Sequence, residues 1–360
     1  MMNNWKKYKL GEVVSIKYGK DHKNLNDGPY PVYGSGGIMR YVDNYLYDKE
    51  SILIPRKGSL NNIFYRDNAF WTVDTMFWSE INTARVFPKF LYYQLSLVDF
   101  EKLNVGSAVP SLTIPIINDV DVSLPSLEEQ KRIAGVLSSL DDKIDLLNRE
   151  NATLEALAET LFRHYFIENP NPDWKEGNLG DVCHYVTDKM ETSSLTTISY
   201  ISTENMLNDK QGVTDASSIP DDIRVTRYGV GDILLSNIRP YFKKIWLADR
   251  RGGCSNDVLC IRANEKEFDC FVYYTLRQDD FFDYVMLGSK GCKMPRGDKQ
   301  HIMNWPIYLP NVESLGVFNK PVYLMIQKIK SNQQQILTLT IQRDTLLPRL
   351  ISGEVKVIGL

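Results

Sequence analysis

Residues 133–165 read IAGVLSSLDDKIDLLNRENATLEALAETLFRHY, and steps of four and three from Ile133 land on Leu137, Leu140, Ile144, Leu147, Asn151, Leu154, Ala158, Leu161 and Tyr165. Adding 185 to each position gives Phe318, Val322, Met325, Ile329, Asn332, Ile336, Leu339, Arg343, Leu346 and Leu350. Two apolar seams of heptad period, each sustained over more than four heptads, predict two long helices that pack against a helix. Asn151 and Asn332 fall inside the seams, where a buried amide costs stability but fixes register and partner choice. Ser126 before Leu127-Glu128-Glu129 fits an N-cap for the first helix. Pro321 suits a first helical turn, and Pro348 is expected to end the second helix.

Outward from the seams, the chain repeats itself. Trp5-Lys6-Lys7-Tyr8-Lys9-Leu10-Gly11-Glu12-Val13 returns as Trp174-Lys175-Glu176-Gly177-Asn178-Leu179-Gly180-Asp181-Val182, at offset 169. Ser51-Ile52-Leu53-Ile54 answers Asp232-Ile233-Leu234-Leu235, and Phe90-Leu91-Tyr92-Tyr93-Gln94-Leu95 answers Phe271-Val272-Tyr273-Tyr274-Thr275-Leu276, both at offset 181. Val122-Ser123-Leu124-Pro125 matches Ile307-Tyr308-Leu309-Pro310 at 185. Matches in one order with a slowly growing offset indicate two copies of one domain whose loops differ in length. Each copy is rich in short β-type runs (51–55, 69–78, 197–201, 258–262) punctuated by glycine and proline turns.

The predicted fold is therefore α+β: two β-rich globular domains separated by a pair of long antiparallel coiled-coil helices, with a pseudo-two-fold internal repeat. The expected boundaries are 1–125, 126–166, 167–310, and 311–360 for the second helix and tail. Antiparallel pairing follows from connectivity, because the second helix has only the first helix's path to return along. Residues 133–165 would span roughly 50 Å at about 1.5 Å per residue, more than one ~34 Å turn of B-DNA.

Composition narrows the function. The 43% apolar and 24% charged residues are those of an ordinary globular chain, and no apolar run approaches the ~20 residues of a membrane helix. The five cysteines, Cys183, Cys254, Cys260, Cys270 and Cys292, form no CxxC pair and read as reduced cytosolic thiols. With His22, His164, His184 and His301 scattered, no metal cluster is expected. The net charge of −3 is unevenly spread: eight acids face five bases over 127–165, but twelve bases face ten acids over 231–300. A nucleic-acid partner is compatible with such segregation.

Catalytic motifs are missing. No GxxxxGK[ST] phosphate loop appears, and Gly34-Ser35-Gly36-Gly37 reads as a turn between strands rather than a dinucleotide loop. Asn169-Pro170-Asn171-Pro172 is a poor imitation of an amino-methyltransferase loop. His301 near Asp298 has no nucleophile elbow. No metal and no cofactor is expected in this chain.

At the helices the sequence resembles a known family. Leu124-Pro125-Ser126-Leu127-Glu128-Glu129-Gln130-Lys131-Arg132-Ile133-Ala134, followed by Leu140-Asp141-Asp142-Lys143-Ile144, is similar to the central conserved region of type I restriction-modification specificity subunits. Residues 343–355, from Arg343-Asp344-Thr345 to Gly353-Glu354-Val355, resemble the C-terminal conserved region of that family. Within the domains, Pro31-Val32-Tyr33-Gly34 and Met294-Pro295-Arg296-Gly297 are similar to its target-recognition domains. The resemblance implies a non-catalytic, cytoplasmic subunit that reads a bipartite, asymmetric site in double-stranded DNA. It implies two methyltransferase subunits docked on the helices and restriction subunits recruited through the complex. The partner methyltransferase would bind S-adenosylmethionine and methylate adenine N6 after base flipping, and the restriction subunits would bind ATP and Mg. The second helix, with Val317-Phe318-Asn319-Lys320-Pro321, lacks the Glu-Gln-Lys-Arg-Ile of the first, so the two docking surfaces need not be equal.

DNA contact calls for cations and amides on loops, near small residues that let backbone approach phosphate. Arg56, Lys57, Ser59, Asn61 and Asn62 follow the first repeat's β-type run around Gly58; Asn237, Arg239, Tyr241, Lys243 and Lys244 hold the equivalent place in the second. Lys290, Lys293 and Arg296 lie on a later basic loop that answers Gly106-Ser107-Ala108-Val109-Pro110-Ser111. The alternatives are a stand-alone sequence-specific DNA-binding protein and a coiled-coil scaffold. The first conflicts with the negative charge, and the second leaves the basic loops unexplained.

Overall fold

The computed structural model describes residues 5–221, 224–291 and 293–357. The chain forms two compact units, one of Met1–Leu146 with Gln335–Leu360 and the other of Leu147–Gln334. Each unit draws on both long helices.

The first unit contains β1 (Lys6–Lys9), β2 (Val14–Tyr18), β3 (Tyr30–Gly34), β4 (Gly37–Val42), β5 (Ser51–Pro55), β6 (Phe64–Arg66), β7 (Trp71–Thr72), β8 (Met76–Ile81), α1 (Pro88–Leu95), α2 (Ile114–Asn118) and β9 (Asp121–Leu124). Helix α3 (Leu127–Phe162) follows. The sheet order β2-β8-β5-β6 places the fully buried run Ser51–Pro55 inside the sheet, where an unbroken apolar strand belongs. β3 pairs antiparallel with β4 and parallel with β7. The first and last strands, β1 and β9, pair antiparallel from Lys6↔Leu124 to Lys9↔Asp121, so the domain closes where α3 begins.

The second unit contains β10 (Lys175–Asn178), α4 (Leu179–Val182), β11 (Cys183–Tyr185), β12 (Lys189–Glu191), β13 (Tyr200–Ile201), β14 (Arg224–Tyr228), β15 (Ile233–Ser236), β16 (Ile245–Leu247), β17 (Gly252–Cys254), β18 (Val258–Ala263), α5 (Asp269–Arg277), α6 (Asp279–Leu287), α7 (Lys299–Met303) and β19 (Pro306–Leu309), followed by α8 (Val312–Ile351). Its sheet β11-β18-β15-β16 repeats the order β2-β8-β5-β6, and β10 pairs with β19 as β1 does with β9. Small contacts repeat too. The Glu12 carboxylate accepts from the Lys9 N–H at 2.6 Å, and the Asp181 carboxylate from the Asn178 N–H at 2.7 Å, again at offset 169. The fold is α+β with an internal repeat, as the duplicated sequence indicates. The β-type runs are shorter than read in two places: 69–78 is broken by a turn between β7 and β8, and only Tyr200–Ile201 of 197–201 is strand.

Ser126 caps α3, its Oγ accepting from the Glu129 N–H at 3.3 Å. The proline readings need correction. Helix α8 starts at Val312, where Asn311 Oδ1 accepts from the Ser314 N–H at 2.9 Å, so Pro321 lies well inside the helix. Pro348 does not stop it either: the Ser352 N–H still reaches the Pro348 carbonyl at 2.9 Å. A proline removes one ladder bond on its N-terminal side, and packing can carry a helix through that loss. The end is made instead by Gly353, at φ +70°, with Val355 N–H donating to the Arg349 carbonyl at 3.1 Å.

The seam residues turn inward within each unit. In the first, Ile133, Leu137, Ile144 and Leu350 are buried and Leu140, Ile336, Leu339 and Leu346 half-buried. Ile133, Leu137, Leu350 and Ile351 belong to the same core as Ile52, Phe77 and Phe90. In the second, Leu147, Ala158, Val322, Ile329 and Asn332 are buried, and Asn151, Leu154, Leu161 and Met325 half-buried. Phe162 meets Phe318 at a centroid distance of 6.0 Å, and Asn332 Nδ2 donates to Asn151 Oδ1 at 2.9 Å and to Glu150 Oε2 at 3.0 Å. As one helix's numbers rise its partners' fall, so the segments of this unit run antiparallel.

Candidate nucleic-acid interface

In both units the chain leaves a buried strand (β5 or β15) and immediately enters one of the polar loops. After β5 the loop lies against a second loop: Gly58 N–H donates to the Pro110 carbonyl at 3.1 Å, and Leu112 N–H to the Arg56 carbonyl at 2.9 Å. After β15, Arg239 N–H donates to the Pro295 carbonyl at 2.8 Å, and Gly297 N–H to the Asn237 carbonyl at 3.1 Å. These are the same two bonds, offset by 181 on one loop and 185 on the other. The bridges Lys57↔Ser111 and Ile238↔Arg296 complete the correspondence. The structure thus joins loops that the sequence presents as separate candidates. Asn104 shapes the first unit's second loop, its Oδ1 accepting from the N–H groups of Gly106 and Ser111, each at 2.8 Å.

The candidate residues divide by what their side chains touch. In the first unit, Arg56 is half-buried, 3.8 Å from Asp74, with its guanidinium over the exposed Tyr18 ring. Asn61 donates to Asp99 at 3.3 Å and accepts from the Glu101 N–H, and Asn62 donates to the Ser35 carbonyl at 2.7 Å. The two amides therefore staple the loop, the second onto the β3–β4 turn. Lys57 and Ser59 are exposed, and among the described residues their side chains have no hydrogen-bond or ion-pair partner.

In the second unit most of the cations are held by their own domain. Lys243 pairs with Asp279 at 2.9 Å, an acid that Lys210 also reaches, and this holds the Lys243 ammonium above its usual range. Lys290 pairs with Asp298 at 2.6 Å, and Arg296 with Asp257 at 3.0 Å. That lysine, with the backbone N–H groups of His301 and Gln300, pulls the Asp298 carboxyl down to about 2. Lys244 donates to the Thr203 carbonyl at 2.7 Å, and partial burial lowers its pKa. Asn237 is half-buried, with its Oδ1 shielded and unpartnered among the described residues. Arg239, Tyr241 and Lys293 are exposed. Thr203 and Asp257, which hold Lys244 and Arg296, also line a polar cleft of about 420 Å³ with Ser202, Glu204 and Asp215.

Sequence reasoning missed these acids. Asp74, Asp257 and Asp279 stand 18 to 39 positions from the cations they meet, and no local pattern reveals such pairs. It also missed Tyr18, which strand alternation puts on the face of the buried Val14 and Ile16 but which lies exposed beneath the Arg56 guanidinium. His301 serves structure: its Nε2 meets the Tyr284 carbonyl at 3.0 Å and its ring stacks on Tyr284. Cys183, Cys254, Cys260 and Cys270 are buried and free, while Cys292 lies outside the described residues. Among the described residues no helix is long and apolar enough to cross a membrane.

Fold and loops together define a class: duplicated α+β proteins in which each repeat presents a paired loop at a strand end and shares two long helices. Residues 2–156 match the family model of the type I restriction modification DNA specificity domain. The chain is 26% identical over 351 residues to the type I restriction enzyme MjaIX specificity subunit of Methanocaldococcus jannaschii, covering 87% of this chain and 79% of that one. It is 22% identical to the EcoDI specificity subunit of Escherichia coli, covering 97% and 92%. The crystal structure of a type I restriction-modification system S subunit from M. genitalium shares the fold, with a TM-score of 0.65 at 17% identity over 97% of both chains. Along most of its length the chain is similar in sequence to type I restriction-modification specificity subunits, and it shares their fold.

Proposed function

We propose that this chain supplies DNA sequence recognition to a type I restriction-modification complex and performs no chemical step itself. Each unit reads one half of a bipartite, asymmetric site in double-stranded DNA, and the unread spacer is set by helix length. The observation that carries this reading is one loop framework built twice with different side chains. Arg56-Lys57-Gly58 occupies the place of Asn237-Ile238-Arg239 between identical backbone bonds. One frame fitted with two sets of donors favours two half-sites of different sequence.

Two methyltransferase subunits dock on the helices. Exposed apolar residues outside the seams support this: Leu146, Leu337 and Ile341 in the first unit, Leu157 and Leu324 in the second. The methyltransferases bring S-adenosylmethionine and modify adenine N6, and restriction subunits bring ATP and Mg, all in the cytoplasm. A stand-alone DNA binder is disfavoured, because Lys243, Lys290 and Arg296 are already neutralised within the chain and the net charge is −3.

The test is reconstitution. The purified chain alone should transfer no methyl group, and mixed with the methyltransferase encoded beside it should confer site-specific adenine methylation. Methylation indifferent to its addition would overturn the reading.

A further inference from the structure

Arg239 occupies a backbone position that an arginine does not choose. Its φ of +49° and ψ of +64° are left-handed, a region in which Cβ crowds the following carbonyl. The equivalent residue in the first unit is Gly58, at φ +93°, where no Cβ exists to be crowded. Neighbouring bonds enforce the conformation: Arg239 N–H donates to Pro295, and the Arg239 carbonyl accepts from Phe242 N–H at 3.0 Å. Strain of this kind persists where surrounding structure over-determines it, and it concentrates at functional sites.

The side chain so held is also free. Of the six basic residues on the second unit's candidate loops, Lys243, Lys290 and Arg296 are paired with acids and Lys244 with a carbonyl. Arg239 and Lys293 are exposed, and among the described residues neither has a hydrogen-bond or ion-pair partner. An ammonium such as that of Lys293 is a point charge suited to phosphate, whereas a guanidinium carries a planar fork of donors. A fork fixed at the tip of a doubly anchored loop matches the O6 and N7 acceptors of guanine in the major groove.

We propose that Arg239 is a specificity-determining residue of the second unit, reading a guanine in its half-site by bidentate donation. The inference rests on the reading of this chain as the DNA-recognition subunit. The experiment uses the full chain in complex with its methyltransferase, comparing wild type with R239K and R239G by methylated-site mapping and thermal melting. The expected result is at least tenfold lost preference at one G·C pair of one half-site in both variants, with the other half-site unchanged. R239G should also melt above wild type, since glycine relieves the strain; a merely structural arginine would not uncouple stability from recognition in this way.

The proposal is overturned if the motif stays intact while methylation falls uniformly with a shallower salt dependence, the signature of a phosphate contact. It is equally overturned if the affected position is A·T. If wild type itself confers no site-specific methylation, the underlying functional reading falls, and this inference with it.

Discussion

Asp269 opens α5 in the second unit, and burial pushes its carboxyl up to about 6 from an ordinary value of 3.8. A raised carboxylate favours the folded state below the unfolded pKa and loses that advantage as pH rises through the folded one. Between about pH 4 and pH 6 the wild-type chain should therefore lose stability, by up to about 2 kcal/mol at 1.36 kcal/mol per unit. D269N should flatten that slope, leaving the two proteins apart at pH 7 and nearly equal at pH 3.5, as melting temperatures across the range would show. At this scale the sequence was legible by type but not by partner. The basic loops announced themselves by composition, yet only the folded chain reveals that Asp257 and Asp279 silence two of their cations. Local spacing cannot forecast a meeting of side chains from segments so far apart in sequence.

At the scale of elements the seams were the clearest signal, because a heptad period is a property of one segment and needs no knowledge of its partner. The proline positions were not, since a single missing N–H is a small loss against a long packed helix. Asn332 tests what the amide in the seam does. It is 0% exposed, its Nδ2 donates twice, and its Oδ1 is buried without a partner among the described residues. N332L removes a half-satisfied polar group and should raise the denaturation midpoint by the equivalent of about 1 kcal/mol. N151L removes an acceptor while leaving the Asn332 amide buried, and should cost about 1–3 kcal/mol. Urea titration of the two variants checks the opposite signs. Equal destabilisation would mean that the amide pair is a net stabilising bond and not a register device.

For the whole molecule, the repeat gave away the plan, because four matched segments in one order have no other economical source. Loop pairing was hidden, since it depends on two segments about fifty residues apart closing on each other. The proposed division of labour between loops and helices predicts the outcome of lengthening both helices by one heptad. Seven residues add about 10 Å, so the mapped methylation motif should gain about three base pairs of spacer while both half-sites keep their sequences. Altered half-sites would refute the separation of reading from spacing.

The first unit also takes its last core residues from far along the chain. Ile133 and Leu137 share a core with Leu350 and Ile351, and all of Leu147–Gln334 is translated in between. A ribosome therefore delivers this unit in unfinished form, with part of its helix seam bare until residues 335–351 have been made. Chains cut short before Gln335 would keep that apolar stripe uncovered, which makes them natural prey for chaperones and proteases. Only a polypeptide carried through residues 335–351 of α8 can bury it, so the packing of the first domain itself waits on that late segment.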